Sequence, residues 1–237
     1  MANTALEILK SSISFLTTIP LKGDIEVLRR NLWIFTFAGT LIGFLISIPS
    51  ILGLWILCLF LYVAIEGINH IDGLADFGDA FFAPREKKMT AMKDVKIGAG
   101  GLTFICLYFL VLYYSFQRVE FLEIVFSQTI AKFSMLLLLT TSKPAWNGLG
   151  AYMMEFARKR DLFFGSLPLL ISALKPSLII PALFSILITI AIRRYSEKNF
   201  GGVSGDVIGA SNCISFASAL LICSFETDIS ILFEFFR

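Results

Sequence analysis

Six long apolar runs dominate the sequence, near residues 32–48, 51–68, 101–117, 122–141, 176–192 and 207–225. A helix of about 20 apolar residues bridges the roughly 30 Å hydrocarbon core of a bilayer. Inside that core each backbone polar group must be satisfied within its own segment, which for runs of this length leaves the α-helix. The remainder of the 237 residues is too short for a separate soluble domain of any size. The expectation is an all-α, polytopic transmembrane helix bundle of six or seven spans, one integral membrane domain over 1–237 with the bundle at 32–225. Composition agrees: 57% of residues are hydrophobic and 16% charged, against about 45–50% and about 25% in soluble chains. Disorder is excluded by the apolar content. A net charge of +2 excludes a nucleic-acid partner.

Residues 3–19 are amphipathic. At about 100° per residue, Glu7, Lys10, Ser11, Ser14, Thr17 and Thr18 fall on one arc and Leu6, Ile8, Leu9, Ile13, Phe15, Leu16 and Ile19 on the other. This fits a helix lying in the membrane interface and ended by Pro20, or an ordinary helix packed on the bundle. Glu7 and Lys10 interrupt any signal-peptide core. The stretch 162–174 is apolar but short for a full crossing. Lys and Arg placement decides its reading. Lys10, Lys22, Arg29, Arg30, Arg85, Lys87, Lys88, Lys93, Lys96, Lys143, Arg158, Lys159, Arg160, Arg193, Arg194 and Lys198 fall on one side if 162–174 crosses, and only Arg118 and Lys175 on the other. Cytoplasmic loops carry the excess of Lys and Arg. Seven crossings, a cell-membrane location and cytoplasmic larger loops follow. The tail 229–236 is expected at the interface. Cys58, Cys106, Cys213 and Cys223 lie in or beside apolar runs without CxxC spacing and read as small buried hydrophobes. The lone histidine, His70, excludes a multi-histidine metal centre.

Polar chemistry is confined to three islands. The first runs from Glu66 to Asp79 and holds Asp72, Asp76 and Asp79 at i, i+4, i+7. On a helix these share an arc of about 60°. Three stacked carboxylates beside a membrane repel one another and resist burial. A bound divalent cation reverses that balance, because carboxylate oxygens are hard ligands suited to Mg²⁺. Gly73 and Gly78 would leave a ligand room to approach the backbone. The second island, Met92–Gly101, joins Lys93, Asp94 and Lys96 to a glycine-rich turn opening an apolar run, a natural anion site. The third, Gly201–Ala210, places Gly201, Gly202, Ser204, Gly205 and Asp206 ahead of the last run, with Asp206 suited to a helix N-terminus. Lys132 interrupts an apolar span, where a charge faces the bundle interior and has a binding or pairing role. The turn Lys143–Gly150 is a further candidate for the substrate side. The topology brings all three islands to one membrane face, which points to magnesium-assisted chemistry on a diphosphate or nucleotide-linked substrate.

At these residues the chain resembles the adenosylcobinamide-GDP ribazoletransferases, or cobalamin synthases. The string His70-Ile-Asp72-Gly-Leu-Ala-Asp76-x-x-Asp79 carries the likeness, with Ser14-Phe-Leu-Thr-Thr-Ile-Pro20, Met92-Lys-Asp94-x-x-Ile-Gly98-x-Gly-Gly101 and Gly201-Gly-x-Ser204-Gly-Asp206-x-x-Gly-Ala210. The resemblance implies a membrane enzyme that joins adenosylcobinamide-GDP to α-ribazole or its 5′-phosphate and releases GMP with Mg²⁺. The chain departs from the family pattern at Lys132, usually arginine, at Glu66, usually small, at Ser204, commonly threonine, and at Lys143-Pro-Ala-Trp. On this reading Asp72, Asp76 and Asp79 are the first metal ligands and Asp94 and Asp206 the second. Arg85, Lys93, Lys96, Lys132, Gly201, Gly202, Ser204 and Gly205 hold substrate. The α-ribazole 5′-hydroxyl attacks, and Asp79 or His70 takes its proton. A prenyltransferase, a CDP-alcohol phosphotransferase and an ion-coupled transporter are the competing readings, and homo-oligomers are compatible with any of them.

Overall fold

The computed structural model describes residues 4–235, with side chains described to residue 225. The side chains of the tail expected at the interface fall outside that description. In chain order the helices are α1 (Ala5–Leu16), α2 (Ile25–Arg29), α3 (Ile34–Ser47), α4 (Trp55–Glu66), α5 (Asn69–Phe82), α6 (Lys88–Ala91), α7 (Ala99–Phe116), α8 (Phe121–Thr141), α9 (Leu149–Met154), α10 (Lys159–Ser166), α11 (Ile179–Phe200) and α12 (Gly205–Phe235). Short 3₁₀ turns at Ile48–Leu52, Arg85–Lys87, Leu167–Ala173 and Pro176–Leu178 link several of them.

Among the described residues, five segments are long and apolar enough to cross a membrane: Ile34–Leu52, Ala99–Phe116, Phe121–Thr141, Pro176–Phe200 and Gly205–Phe225. The helices α4 and α5 are apolar and long enough only when taken together, and they meet at a 91° bend, the geometry of a broken span or a re-entrant loop. Gly67 makes that bend with φ of 71°, a left-handed conformation open to glycine at little cost. The bend leaves carbonyls at the end of α4 without helical partners. Thr18 supplies them: its N–H donates to Ile65 O at 2.7 Å and its hydroxyl to Ala64 O at 2.5 Å.

The core is built on α8, whose span is 89% buried, whereas those of α7 and α11 are only 28% buried and turn Leu107, Leu110, Leu183 and Leu187 outward. An apolar surface of that kind is stable against lipid rather than water. Gly39 and Gly43 let α3 close on α8: an added Cβ would stand 2.6 Å from Lys132 Cγ and 2.9 Å from Val125 Cα. Small residues one turn apart are the usual device for close helix approach in a bilayer.

The stretch 162–174 is not a regular span. It comprises the end of α10 and the 3₁₀ turn Leu167–Ala173. The whole of α10 with this turn, residues 159–173, would extend about 26 Å if straight, because a 3₁₀ turn rises more per residue. The segment runs back along α8, from Gly165 against the Leu136 side chain to Lys175 paired with Glu123 at 2.6 Å. The segment thus lies along α8 between Leu136 and Glu123 and is not among the helices long and apolar enough to cross a membrane. The helix α1 forms as patterned, with a capping box between Thr4 and Glu7. It packs on α2 and α3 through Ile8, Ile13 and Leu16. Cys58, Cys213 and Cys223 are buried, but Cys106 is exposed, because it sits on the outward side of the peripheral α7.

Candidate active site

The helix α5 lies across the N-terminal ends of α7 and α12. Its glycines do something other than admit a ligand. A Cβ on Gly73 would stand 2.6 Å from the Asp206 carbonyl oxygen, and one on Gly78 would stand 2.9 Å from Gly100 O. Both positions are filled by neighbouring helix backbone, so these glycines bring α5 onto α12 and α7. The expected open approach to the α5 backbone does not exist there. What the close packing does is set Asp72, on α5, beside Asp206, on α12. Asp72 is exposed and Asp76 and Asp79 are partly so. The charges of Asp72, Asp206, Asp79 and Asp94 all act on Asp76. Acids from three separate islands thus share one electrostatic neighbourhood.

Asp79 has a different task from its neighbours. Its Oδ2 accepts the Gly98 N–H at 2.7 Å and its Oδ1 the Gly101 N–H at 2.8 Å. These are two of the donors that the start of α7 leaves unsatisfied. The glycine turn 98–101 is therefore not an open phosphate cradle, because the protein's own carboxylate fills it. With both oxygens committed, Asp79 is a clasp between α5 and α7 and a poor choice of proton acceptor. The C-terminal end of α5, just past Asp79, is closed by Lys88, whose Nζ donates to Ala80 O at 2.9 Å and Phe81 O at 2.6 Å, a favourable place for a cation.

Beside Asp72 and Asp206 opens a cavity of about 470 Å³. His70, Asn69 and Ser204 join the two acids on one side, and residues of α1, α3, α8 and α9 form the rest. His70 Nδ1 lies 3.0 Å from Glu66 Oε2. Glu66 is an ionised carboxylate by virtue of Lys132 Nζ, 2.6 Å from its Oε1. Such a carboxylate only accepts, so Nδ1 carries the hydrogen and Nε2 is left with a lone pair. Asn212 completes the network, accepting from Lys132 at 2.8 Å and donating to Glu66 at 3.2 Å.

This corrects the expectation that Lys132 holds substrate. Its side chain is fully buried, with its charge answered by Glu66 and Asn212. Two of the four departures noted above, Glu66 and Lys132, are partners of each other. A further correction concerns Gly201 and Gly202. Gly201 takes φ of 78° at the end of α11, and Gly202 packs on Lys143 and Pro144. There Val203 N–H donates to Lys143 O at 2.9 Å and Ala145 N–H to Val203 O at 3.1 Å. These residues tie two loops together, while Ser204 and Gly205 reach the cavity. The Ser204 hydroxyl also caps α12 by accepting the Val207 N–H at 3.3 Å.

The turn Lys143–Gly150 does face the cavity, through Trp146, Gly148 and Gly150. Lys93 Nζ sits 4.5 Å from the centroid of the Trp146 ring, at the cavity's edge. Arg85 and Lys96 are exposed in the same loop region and do not line the cavity. The helix α9 is held down by Arg29, sandwiched between Tyr152 and Phe156 and paired with Glu26 and Glu155. The Tyr152 hydroxyl and the Arg29 guanidinium hold the Glu26 carboxyl below the usual carboxylate range. None of this latch was foreseen from sequence.

The acids suit a hard divalent cation. Among the described residues no Lys or Arg forms a salt bridge with Asp72, Asp76, Asp94 or Asp206. No group of three or more His, Cys, Asp or Glu side chains among them is arranged as a ready cage. Mg²⁺ needs none: it is usually held by one or two carboxylates and completes its shell with water and substrate phosphate.

Comparison with known proteins bears on the chemistry. The family described as Cobalamin-5-phosphate synthase matches residues 8–224. A relative in Archaeoglobus fulgidus named adenosylcobinamide-GDP ribazoletransferase is 64% identical over 94% of this chain and 100% of its own. A second with the same name and organism is 47% identical over 91% and 96%. One from Thermococcus kodakarensis, again so named, is 35% identical over 90% and 96%. No solved structure matches.

Proposed function

The chain belongs to the cobalamin-5-phosphate synthase family, and from that premise we propose that it transfers the adenosylcobinamide-phosphate group of adenosylcobinamide-GDP to α-ribazole or its 5′-phosphate, releasing GMP. The observation that carries this reading is the meeting of Asp72 and His70 from α5 with Asp206 from α12 on the edge of one cavity. An electrophile that is itself a diphosphate calls for such a centre.

The family description names a product that keeps a 5-phosphate. The 5′ oxygen of the acceptor is therefore not the attacking group, contrary to the expectation above; a secondary ribose hydroxyl is. That hydroxyl forms the new bond to the phosphorus esterified to the corrinoid. The bond between that phosphorus and the bridging oxygen breaks, and GMP leaves with the oxygen. His70 Nε2 accepts the hydroxyl proton, in preference to Asp79, whose oxygens are engaged. Glu66 holds the imidazole in the tautomer this requires.

One or two of Asp72, Asp76 and Asp206, with Asp94 at the margin, would hold Mg²⁺, the rest of its shell being water and substrate phosphate. When bound, the ion offsets phosphate charge and the charge gathering on the departing GMP. Lys93, with Arg85 and Lys96 in the same exposed stretch, draws the anionic nucleotide to the site. The ends of the spans that carry the site are flanked by nearly all the Lys and Arg residues, with Arg118 and Lys175 at the opposite end, so the site faces the cytosol across the cell membrane.

The test is turnover. Purified protein in detergent with adenosylcobinamide-GDP, α-ribazole and Mg²⁺ is expected to yield adenosylcobalamin and GMP in equal amounts, and chelation of Mg²⁺ to stop both. Failure to release GMP, with transfer from an isoprenyl diphosphate or a CDP-alcohol instead, would overturn the assignment.

A further inference from the structure

We propose that the 470 Å³ cavity beside Asp72 and Asp206 is the acceptor subsite, with the base of α-ribazole against its apolar side chains and the ribose against its polar ones. The inference rests on the reaction proposed above and adds where one of its two substrates sits.

The lining is of two kinds. Phe15, Phe35, Met135, Leu139, Met153 and Ile208 give it apolar side chains. The rings of Phe15 and Phe35 stand 6.1 Å apart, centroid to centroid. The Ser14 hydroxyl is spent on Leu21 O at 2.8 Å. His70, Asp72, Ser204 and Asp206 give it polar ones, with the His70 backbone packed against Gly209 of α12. A ligand lodged here presents a flat apolar body to the first group and hydroxyls to the second.

Size and polarity choose between the candidates. The volume, about 470 Å³, is near the small end of the roughly 300–1,000 Å³ typical of ligand pockets. It admits a nucleoside and not a corrin macrocycle, which has to remain outside the mouth. Two nucleosides flank the reacting phosphorus, while the adenosyl group rides on the corrin and stays outside with it. Guanine would bring N–H donors and a carbonyl acceptor against the apolar side chains, where they would go unpaired at a cost. A dimethylbenzimidazole has two methyl groups and no N–H to satisfy. The reacting geometry agrees. Attacking and leaving oxygens stand in line on opposite sides of phosphorus. The nucleoside on the His70 side is thus the attacking one, and GMP departs toward the Lys93 loop.

The site also gives α1 a purpose beyond lying in the interface, since Ser14 and Phe15 are part of the wall. Two variants test the assignment in the full-length enzyme. Phe15→Ala removes a ring from the apolar lining. Leu149→Trp, at a position 54% exposed on α9 and lining the cavity, fills it with little risk to folding. Each is expected to raise KM for α-ribazole by about tenfold, with KM for adenosylcobinamide-GDP unchanged. Equilibrium dialysis of α-ribazole without the donor should show the same weakening. An acceptor lacking one ring methyl should bind the wild type about fourfold more weakly.

If KM for the donor rises while that for α-ribazole stays, the cavity holds guanosine and the proposal falls. It falls equally if neither constant moves in Leu149→Trp. Wild-type protein that binds α-ribazole yet never releases GMP sinks the assigned reaction. Normal turnover with indifferent α-ribazole constants sinks the subsite alone.

Discussion

Lys132→Met keeps the aliphatic stem of a fully buried side chain and removes its charge. In the native protein that charge lies 2.6 Å from Glu66 Oε1 and 2.8 Å from Asn212 Oδ1, and the Glu66 side chain is only 1% exposed. The variant leaves the buried Glu66 carboxyl without the cation that answers its charge. Breaking a buried pair by removing one partner costs about 3–5 kcal/mol, most of it the desolvation of the survivor. Glu66→Gln strands Lys132 in the same way and is expected to cost a similar amount. Glu66→Gln with Lys132→Met strands nothing, and two well-packed neutral residues can replace a buried pair at little cost. The double variant should therefore be more stable than either single one, with a coupling far outside the roughly 0.5 kcal/mol within which independent sites add. Reversible unfolding of the purified protein in mixed micelles, followed by tryptophan fluorescence, measures all four corners of the cycle. Single variants within about 0.5 kcal/mol of wild type, or strictly additive effects, would refute the buried pair.

Three further outcomes follow from the same geometry. Asp79→Asn keeps one acceptor of two at the start of α7 and should lower stability by about 1–3 kcal/mol in the same unfolding assay; an equally stable but inactive variant would make Asp79 a ligand and not a clasp. Gly73→Ala places a Cβ 2.6 Å from Asp206 O, so α5 must move off α12, which costs about 1–3 kcal/mol in that assay and lowers GMP release with it. His70→Gln is expected to lower kcat by about 10²–10⁴-fold in steady-state assays of GMP release and to leave KM for the donor unchanged; a KM effect alone would restrict His70 to binding.

The architecture and the location of the acids were legible in the sequence because both depend on local pattern. Apolar length marks a span wherever it occurs, and i, i+4, i+7 spacing puts Asp72, Asp76 and Asp79 on one helix face before any neighbour is known. Asp94 and Asp206 were placed with them by the topology of alternating spans. The roles of the glycines were not legible. A small residue at position 73 serves a ligand or a neighbouring helix equally well, and only the approach of the Asp206 backbone decides. The pairing of Glu66 with Lys132 joins residues on α4 and α8, so each looked like an isolated oddity. At 162–174 the expected crossing rests on the placement of Lys and Arg, and the segment folds as the end of α10 and a 3₁₀ turn, not as a spanning helix. The wall formed by Phe15 and the latch around Arg29 depend on how α1, α2 and α9 fold over the end of the bundle, and no short-range pattern encodes that.

The account stands on acids of α5 and α12 acting as one reaction centre. Single-turnover GMP release from adenosylcobinamide-GDP, at saturating Mg²⁺ and α-ribazole, compares wild type with Asp72→Asn, Asp76→Asn and Asp206→Asn. Each substitution is expected to slow release by at least about a hundredfold while unfolding stability is retained. Wild-type release by Asp76→Asn, or by Asp206→Asn alone, would contradict it.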